Sequence, residues 1–353
     1  MSGHLLITGG AGFIGCNLAD RLAGEGHRVL LLDSLVRPGV ERNVAWLQER
    51  HPGLVRARIA DIRDPRALIE AVRGAEGVFH FAAQVAVTSS LDDPQADLQV
   101  NLLGTANLLE AMRLHAPDAP LLFASTNKVY GGMGGIRLRA GRECYTPEDA
   151  AIAEAGFDET TPLEFHTPYG CSKGAADQYV LDYARSFGLR TAVMRMSCIY
   201  GPRQLGTEDQ GWVAHFLMRA LGRRPITIYG DGRQVRDVLH VADAVAAYVS
   251  AWRNIASVAG RAFNLGGGPE NAVSLLQLVR HAGRVLGRPL ELRFSPWRLN
   301  DQRYYVSDPR AARTALDLPP PRGWRAGVAD LLTDLALRDR APYDHADATA
   351  LSA

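Results

Sequence analysis

The sequence contains no apolar run long enough to cross a bilayer, so a membrane is not an expected partner. It has four cysteines (Cys16, Cys144, Cys171 and Cys198), without metal-type spacing and too few for a disulfide framework in 353 residues. They read as reduced thiols, with no bound metal and a cytoplasmic setting expected. The apolar stretch His4–Thr8 is cut short by glycine, which argues against a secretory leader. Neither sign of charge dominates: 39 Lys and Arg face 38 Asp and Glu, for a formal net charge of +1. No basic stripe tracks a phosphate backbone, so nucleic acid is not expected either. Internal repeats are absent. What remains is an ordinary globular composition, 47% hydrophobic and 22% charged.

The first 200 residues alternate short apolar runs with longer helical patterns, the signature of βαβ units and a parallel sheet. Strands are predicted at His4–Thr8, Arg28–Asp33, Val55–Ala60, Gly77–Phe81, Leu121–Ser125 and Thr191–Met196. Helices are predicted at Pro65–Val72 and Pro94–His115, each opening on a proline at a first-turn position. This is an α/β chain with a doubly wound parallel sheet, a Rossmann fold. Residues 1–200 are assigned to that domain, with an insertion at 131–165 whose length suggests a functional loop. Residues 201–339 are assigned to a smaller α/β substrate lobe. It includes a helix near Trp212–Leu221 and strands Ile226–Tyr229 and Ala262–Leu265. Residues 340–353 read as a flexible tail.

Between the first strand and first helix lies Gly9-Gly10-Ala11-Gly12-Phe13-Ile14-Gly15. Gly9 permits a tight turn, Gly12 a close backbone approach to a pyrophosphate, and Gly15 close helix–strand packing. Phe13 and Ile14 open the helix whose free N–H groups would face the anion. Asp33, ending the second strand, fits the acid that binds an adenine ribose and repels a 2′-phosphate, favouring NAD over NADP. Asp61 and Ile62 would flank the adenine. Phe81, Ala82, Ala83 and Gln84 offer a surface for the cofactor, and Met196 is assigned to the same side. Asn101 is a further cofactor candidate, with a structural hydrogen bond as the alternative.

Tyr169-Gly170-Cys171-Ser172-Lys173 puts a phenol and an ammonium on one helix face. A nearby ammonium lowers a phenol's pKa, so Tyr169 would exchange a hydroxyl proton near neutral pH. Lys173 would also hold the nicotinamide ribose. Ser125 and Thr126 end the fifth strand at the same sheet edge, where a hydroxyl can polarise a reacting oxygen.

The glycine turn, the strand-end hydroxyl and the Tyr-x-x-x-Lys pair together resemble the extended short-chain dehydrogenase/reductase superfamily. Nucleotide-sugar 4,6-dehydratases of that superfamily carry an Asp-Glu pair after the hydroxyl, and the decarboxylases a glutamate; here Asn127-Lys128 follows Thr126. The strings 125–131, 168–179, 209–213, 234–240 and 301–303 are similar to the CDP-paratose 2-epimerase (CDP-tyvelose epimerase) family, whereas 196–204 and 132–160 depart from its pattern. The resemblance implies a tightly bound, recycled NAD and inversion at C2 of a CDP-deoxysugar through a transient 2-keto sugar. It also implies a homodimer.

The same resemblance implies that Arg236 and Arg303 bind the substrate diphosphate. Gln210, Gly211, Trp212 and Val213 would lie beside the sugar or nucleotide, with a core role for Trp212 as the alternative. Tyr229 would pass under the base, and Thr88, Asn127 and Cys198 are further substrate candidates. A nucleotide-sugar 4-epimerase and a uronic acid decarboxylase remain open. A non-catalytic NAD-binding regulator is a more remote reading.

Overall fold

The computed structural model describes residues 3–299 and 301–339; the tail assigned to 340–353 lies outside them. Seven strands form an all-parallel sheet: β1 His4–Thr8, β2 Val29–Asp33, β3 Val55–Ile59, β4 Ala75–His80, β5 Leu121–Thr126, β6 Thr191–Met196 and β7 Arg261–Leu265. Their order is β7-β6-β5-β4-β1-β2-β3. The chain reverses its winding direction between β1 and β4, and ligands of such sheets bind at the carboxyl ends beside that switch.

The strands are apolar on both faces because helices cover both. On one face, helices Phe13–Gly24, Glu41–Arg50 and Val241–Arg253 bury Leu18, Leu22, Leu47, Val245 and Tyr248 against Leu5, Ile7 and Leu31. On the other, helices Pro65–Val72, Gly104–His115 and Thr167–Phe187 bury Leu68, Leu108, Met112 and Val180 against Leu6, Val78 and Phe123. The Pro65 helix starts as its sequence implies, with Asp64 accepting the Arg66 amide at 2.9 Å and proline in the first turn.

Three expectations change. The strand assigned to the second lobe, Arg261–Leu265, pairs with β6 instead and completes the main sheet. The Val241–Arg253 helix covers that sheet too, so the larger domain draws on both halves of the chain. The helix expected over Pro94–His115 is interrupted by a π-helical turn at Gln99–Leu103. The interruption turns Asn101 inward, where it meets Asp97 and Ser172.

The insertion at 131–165 is ordered structure rather than a long open loop. It forms an antiparallel hairpin, Leu138–Ala140 with Tyr145–Pro147, and a helix Ala150–Ala155 capped by Asp149. Phe157 bridges to Ser307 and stacks on Tyr305 at 5.9 Å between ring centres. The insertion thereby builds a small core of its own with Val235, Tyr304 and Val306.

The smaller lobe packs helices Trp212–Leu221, Leu275–Val285 and Trp324–Asp339 around Phe216, Leu217, Leu278 and Val328. Its strand Val235–His240 pairs with Cys198–Tyr200, Ala272–Ser274 and Tyr304–Tyr305. This strand carries the lobe back to the carboxyl edge of the main sheet.

Candidate active site

The glycine turn leaves β1 with Gly9 at φ +67°, where a Cβ would sit 2.6 Å from the Ala82 amide nitrogen. A side chain at Gly15 would collide with the Gly9 carbonyl, so the helix can approach the turn only with glycine there. The helix beginning at Phe13 has Gly12 as its N-cap and no side-chain cap, leaving its amides open to an anion. Ile14, partly buried, packs beside Phe13 on the core below the turn. Asp33 accepts the Ala11 amide at 3.0 Å and the Leu35 amide at 2.9 Å, which fixes its carboxylate beside the turn. A backbone cradle next to an oriented carboxylate is the donor and acceptor set that a pyrophosphate and an adenine ribose require, so these residues fit NAD.

Around that cradle, Phe81 and Ala82 follow β4, Phe81 meeting the Tyr248 ring edge-on at 4.8 Å and Ala82 donating its amide to Thr8. Ala83 is partly buried. Met196, ending β6, accepts from the Tyr248 hydroxyl at 3.5 Å. Ile62 is buried in the sheet's second core. Asp61 is ion-paired to Arg63 at 2.7 Å, and the Gln84 side chain closes on Ala86.

Asn101 takes the structural alternative. Its amide donates to Asp97 at 3.0 Å and Ser172 at 3.1 Å, while its oxygen accepts the Gln84 amide at 2.9 Å. Fully engaged in this way, it has no donor left for a cofactor. What it does is join the Gln84 loop to the helix bearing Tyr169.

That helix, Thr167–Phe187, is entered through Thr167 at φ +63°, a strained conformation for a β-branched residue. Tyr169 and Lys173 lie on its buried side, at 8% and 3% exposure. The Tyr169 phenol lies within interaction range of the Thr126 side chain. The Lys173 ammonium sits 4.1 Å from the centre of the Phe123 ring. Thr126 also caps the short turn Asn127–Tyr130, accepting the Lys128 amide at 3.2 Å.

Ser125 does not share this role. Its hydroxyl donates to Asp177 at 2.7 Å, and Asp177 holds Arg195 through two bonds of 3.0 Å. With its proton committed to a buried carboxylate, Ser125 supports the strand end.

The proton balance of the pair also differs from the expectation. Burial pushes the Tyr169 phenol up to about 12, against the lowering effect of Thr126, and Asp97 adds to the rise. Burial pushes the Lys173 ammonium down to about 7, against the opposing pull of Asp177 and Asp97. By itself, then, the protein holds Tyr169 protonated at neutral pH. Phenolate formation needs a further positive charge in the site.

Beside the pair opens a cavity of about 330 Å³. Thr88, Cys198, Gln210, Gly211, Trp212, Tyr229 and Arg236 all line it. Trp212 donates to the Cys198 sulfur at 3.4 Å, and Gln210 accepts from Arg37. Arg236 is bonded to Asp301 at 2.7 Å. Asn127 sits behind the lining, 3.5 Å from Gln302.

Two substrate expectations fail on geometry. Val213 is a core residue at 2% exposure, because the helix turns it inward with Phe216 and Leu217. Arg303 is exposed and absent from the lining; its guanidinium lies over the rings of Tyr145 and Trp297, at 5.9 and 5.3 Å.

These observations describe a hydride-transfer site with an adjoining cavity that carries a few charged and polar groups. Residues 5–266 match the NAD dependent epimerase/dehydratase family. The chain belongs to that family.

Its relatives extend the match to almost the whole chain. It is 42% identical over 332 residues to the CDP-paratose 2-epimerase of Salmonella typhi, covering 92% of this chain and 96% of that one. Identity to the UDP-glucose 4-epimerase of Mycolicibacterium smegmatis is 34% over 324 residues, again 92% and 96%. The crystal structure of the Thermus thermophilus UDP-glucose 4-epimerase complexed with NAD superposes with a TM-score of 0.78 at 30% identity, covering 94% of this chain and 99% of that one.

In this family member the cavity also exposes residues that sequence reasoning passed over. Lys128 lines it two residues beyond Thr126, and Arg298 lies over the Tyr229 ring at 4.1 Å while pairing with Asp209 at 3.2 Å. Lys128 stands inside a string that had been read only as a pattern. Arg298 stands in none.

Proposed function

We propose that this enzyme inverts C2 of a CDP-deoxysugar of the paratose/tyvelose type and keeps its NAD through each cycle. The observation that carries the reading is the Thr126–Tyr169 pair beside Asn127 and Lys128, a hydride site in which no carboxylate follows the Thr126 hydroxyl. Acid–base elimination lacks its agent at that point. The 42% identity to a CDP-paratose 2-epimerase favours C2 over the C4 chemistry of the 4-epimerases, and favours CDP.

Bound NAD supplies the hydride acceptor and donor together with the additional positive charge that the free site lacks. Tyr169 takes the proton of the C2 hydroxyl and later returns it. Thr126 steadies the oxygen as it becomes a carbonyl. Lys173 holds the phenolate and the ribose. Arg236 exchanges Asp301 for the substrate's diphosphate, a charge-assisted contact that keeps the nucleotide anchored while the 2-keto sugar turns its other face.

Four free cysteines agree with a reducing cytoplasm, and no helix among the described residues is long and apolar enough to cross a membrane. Leu98, Leu103 and Tyr179 are exposed on neighbouring helices, and that face supports a homodimer.

Product NMR across CDP-, UDP-, GDP- and dTDP-sugars, without added cofactor, tests the function. Conversion of a CDP-deoxysugar to its C2 epimer is expected. Turnover of only a UDP-sugar at C4 would overturn the assignment.

A further inference from the structure

Lys128 brings a positive charge to the cavity without a carboxylate of its own. It is partly buried and lines the cavity together with Arg236, Cys198 and Asp301. Its ammonium lies 3.4 Å from the Gln302 side-chain oxygen, and among the described residues it forms no ion pair. The one acid close by, Asp301, is bonded to Arg236. Gln302 is fully buried and fixed the right way round, because its amide donates to the Gly131 carbonyl at 2.7 Å. Its oxygen is therefore the atom turned to Lys128. A neutral acceptor orients an ammonium without cancelling its charge.

We propose that Lys128 binds the diphosphate of the nucleotide-sugar substrate directly, as a second cation beside Arg236, with Gln302 as the residue that positions it. The inference rests on the nucleotide-sugar reading above and adds to it a specific contact. A cation removed from water is stable only when an anion or a set of acceptors compensates it. Arg236 has Asp301; Lys128 has one amide oxygen. A diphosphate entering between them supplies charge to both. The location agrees: Lys128 follows Thr126 by two residues and lines the cavity together with Arg236.

The charges around Lys128 are those of Arg236 on its strand, Asp301 beside it, and the Cys198 thiol. Burial first, and Arg236 second, push the ammonium down to about 8, with Asp301 and Cys198 opposing. Diphosphate binding favours the protonated form, so affinity should fall as pH rises through that value.

The test is calorimetric titration of the NAD-loaded protein with CDP, UDP and dTDP, comparing wild type with Lys128→Met and Lys128→Arg. Lys128→Met should weaken CDP binding about 10- to 100-fold, the size of one charge-assisted contact, while bound NAD stays constant. Lys128→Arg should retain affinity and lose the decline above about pH 8. Wild type binding none of the three would overturn the nucleotide-sugar reading. Wild type binding CDP with Lys128→Met equal to it would overturn the role of Lys128 alone.

Discussion

Lys173 and Lys128 are both pushed below the ordinary lysine range by burial, yet their surroundings are opposite in kind. Lys173 lies in a closed network. Asp97 and Asp177 act on it, Phe123 covers it, and the hydroxyls and amides nearby are bonded to one another. Lys128 faces a cavity and is held by one amide, and the Thr88 hydroxyl and the Gln234 side-chain oxygen, both in cavity-lining residues, have no hydrogen-bond partner among the described residues. In the first, the supporting hydrogen bonds are made within the protein, which suits a machine that must hold its geometry. The second is completed by what binds.

The sharpest way to break this comparison is at the closed end. Tyr169→Phe should lower kcat about 10²- to 10⁴-fold, with NAD content and unfolding midpoint unchanged; steady-state kinetics and denaturation check both. Next is the buried pair Arg195–Asp177, at 5% and 0% side-chain exposure. Asp177→Ala should cost about 3–5 kcal/mol in stability, because it strands a guanidinium and frees Ser125; a denaturant titration reads this. At the open end, Arg236→Ala should raise KM about 10- to 100-fold with little loss of fold. Arg303→Ala should stay within about fivefold, since its exposed guanidinium makes only ring contacts outside the cavity.

A separate prediction concerns acid. His80 lies between Thr8 at 2.6 Å and Thr105 at 3.0 Å, and burial pushes it from 6.5 down to about 3. Because Thr105 donates to the Asn101 carbonyl, its oxygen accepts from Nε2 of a neutral ring. A depressed pKa means that the unfolded chain binds the proton first. The stabilising contribution is complete above pH 6.5 and is lost as pH falls toward about 3. His80→Asn should flatten the slope of stability against pH in that window.

The two ends also differed in how far the sequence reveals them. The turn from Gly9 to Gly15 and the Tyr169–Lys173 pair depend on spacing within one element, and spacing is what a sequence displays. Five of the six sheet strands expected before residue 200 form within a residue at each end, and Gly77–Phe81 lies within two residues of β4. Strand β7 was misassigned because a run such as Arg261–Leu265 carries no mark of its partner, and pairing with β6 is a long-range event. The cavity is hidden for the same reason. Its walls come from 87–88, 91, 128, 131, 166–167, 198, 208–212, 216, 227, 229, 234, 236, 275, 298–299 and 301. Arg236 was reached through resemblance and does line it. Arg303, reached the same way, sits at a neighbouring strand end but points elsewhere. The misplaced pKa of Tyr169 has a simpler cause: helical spacing puts an ammonium on the right face, while burial acts on both groups and can be read only from the fold.

The central claim is that hydride leaves C2 and returns to C2. A CDP-deoxysugar deuterated at C2, incubated in ordinary water with purified protein and no added cofactor, tests it most directly. Mass spectrometry and NMR should show the C2 epimer with deuterium retained at C2. Loss of the deuterium to solvent, or NADH accumulating in step with oxidised sugar, would contradict the account.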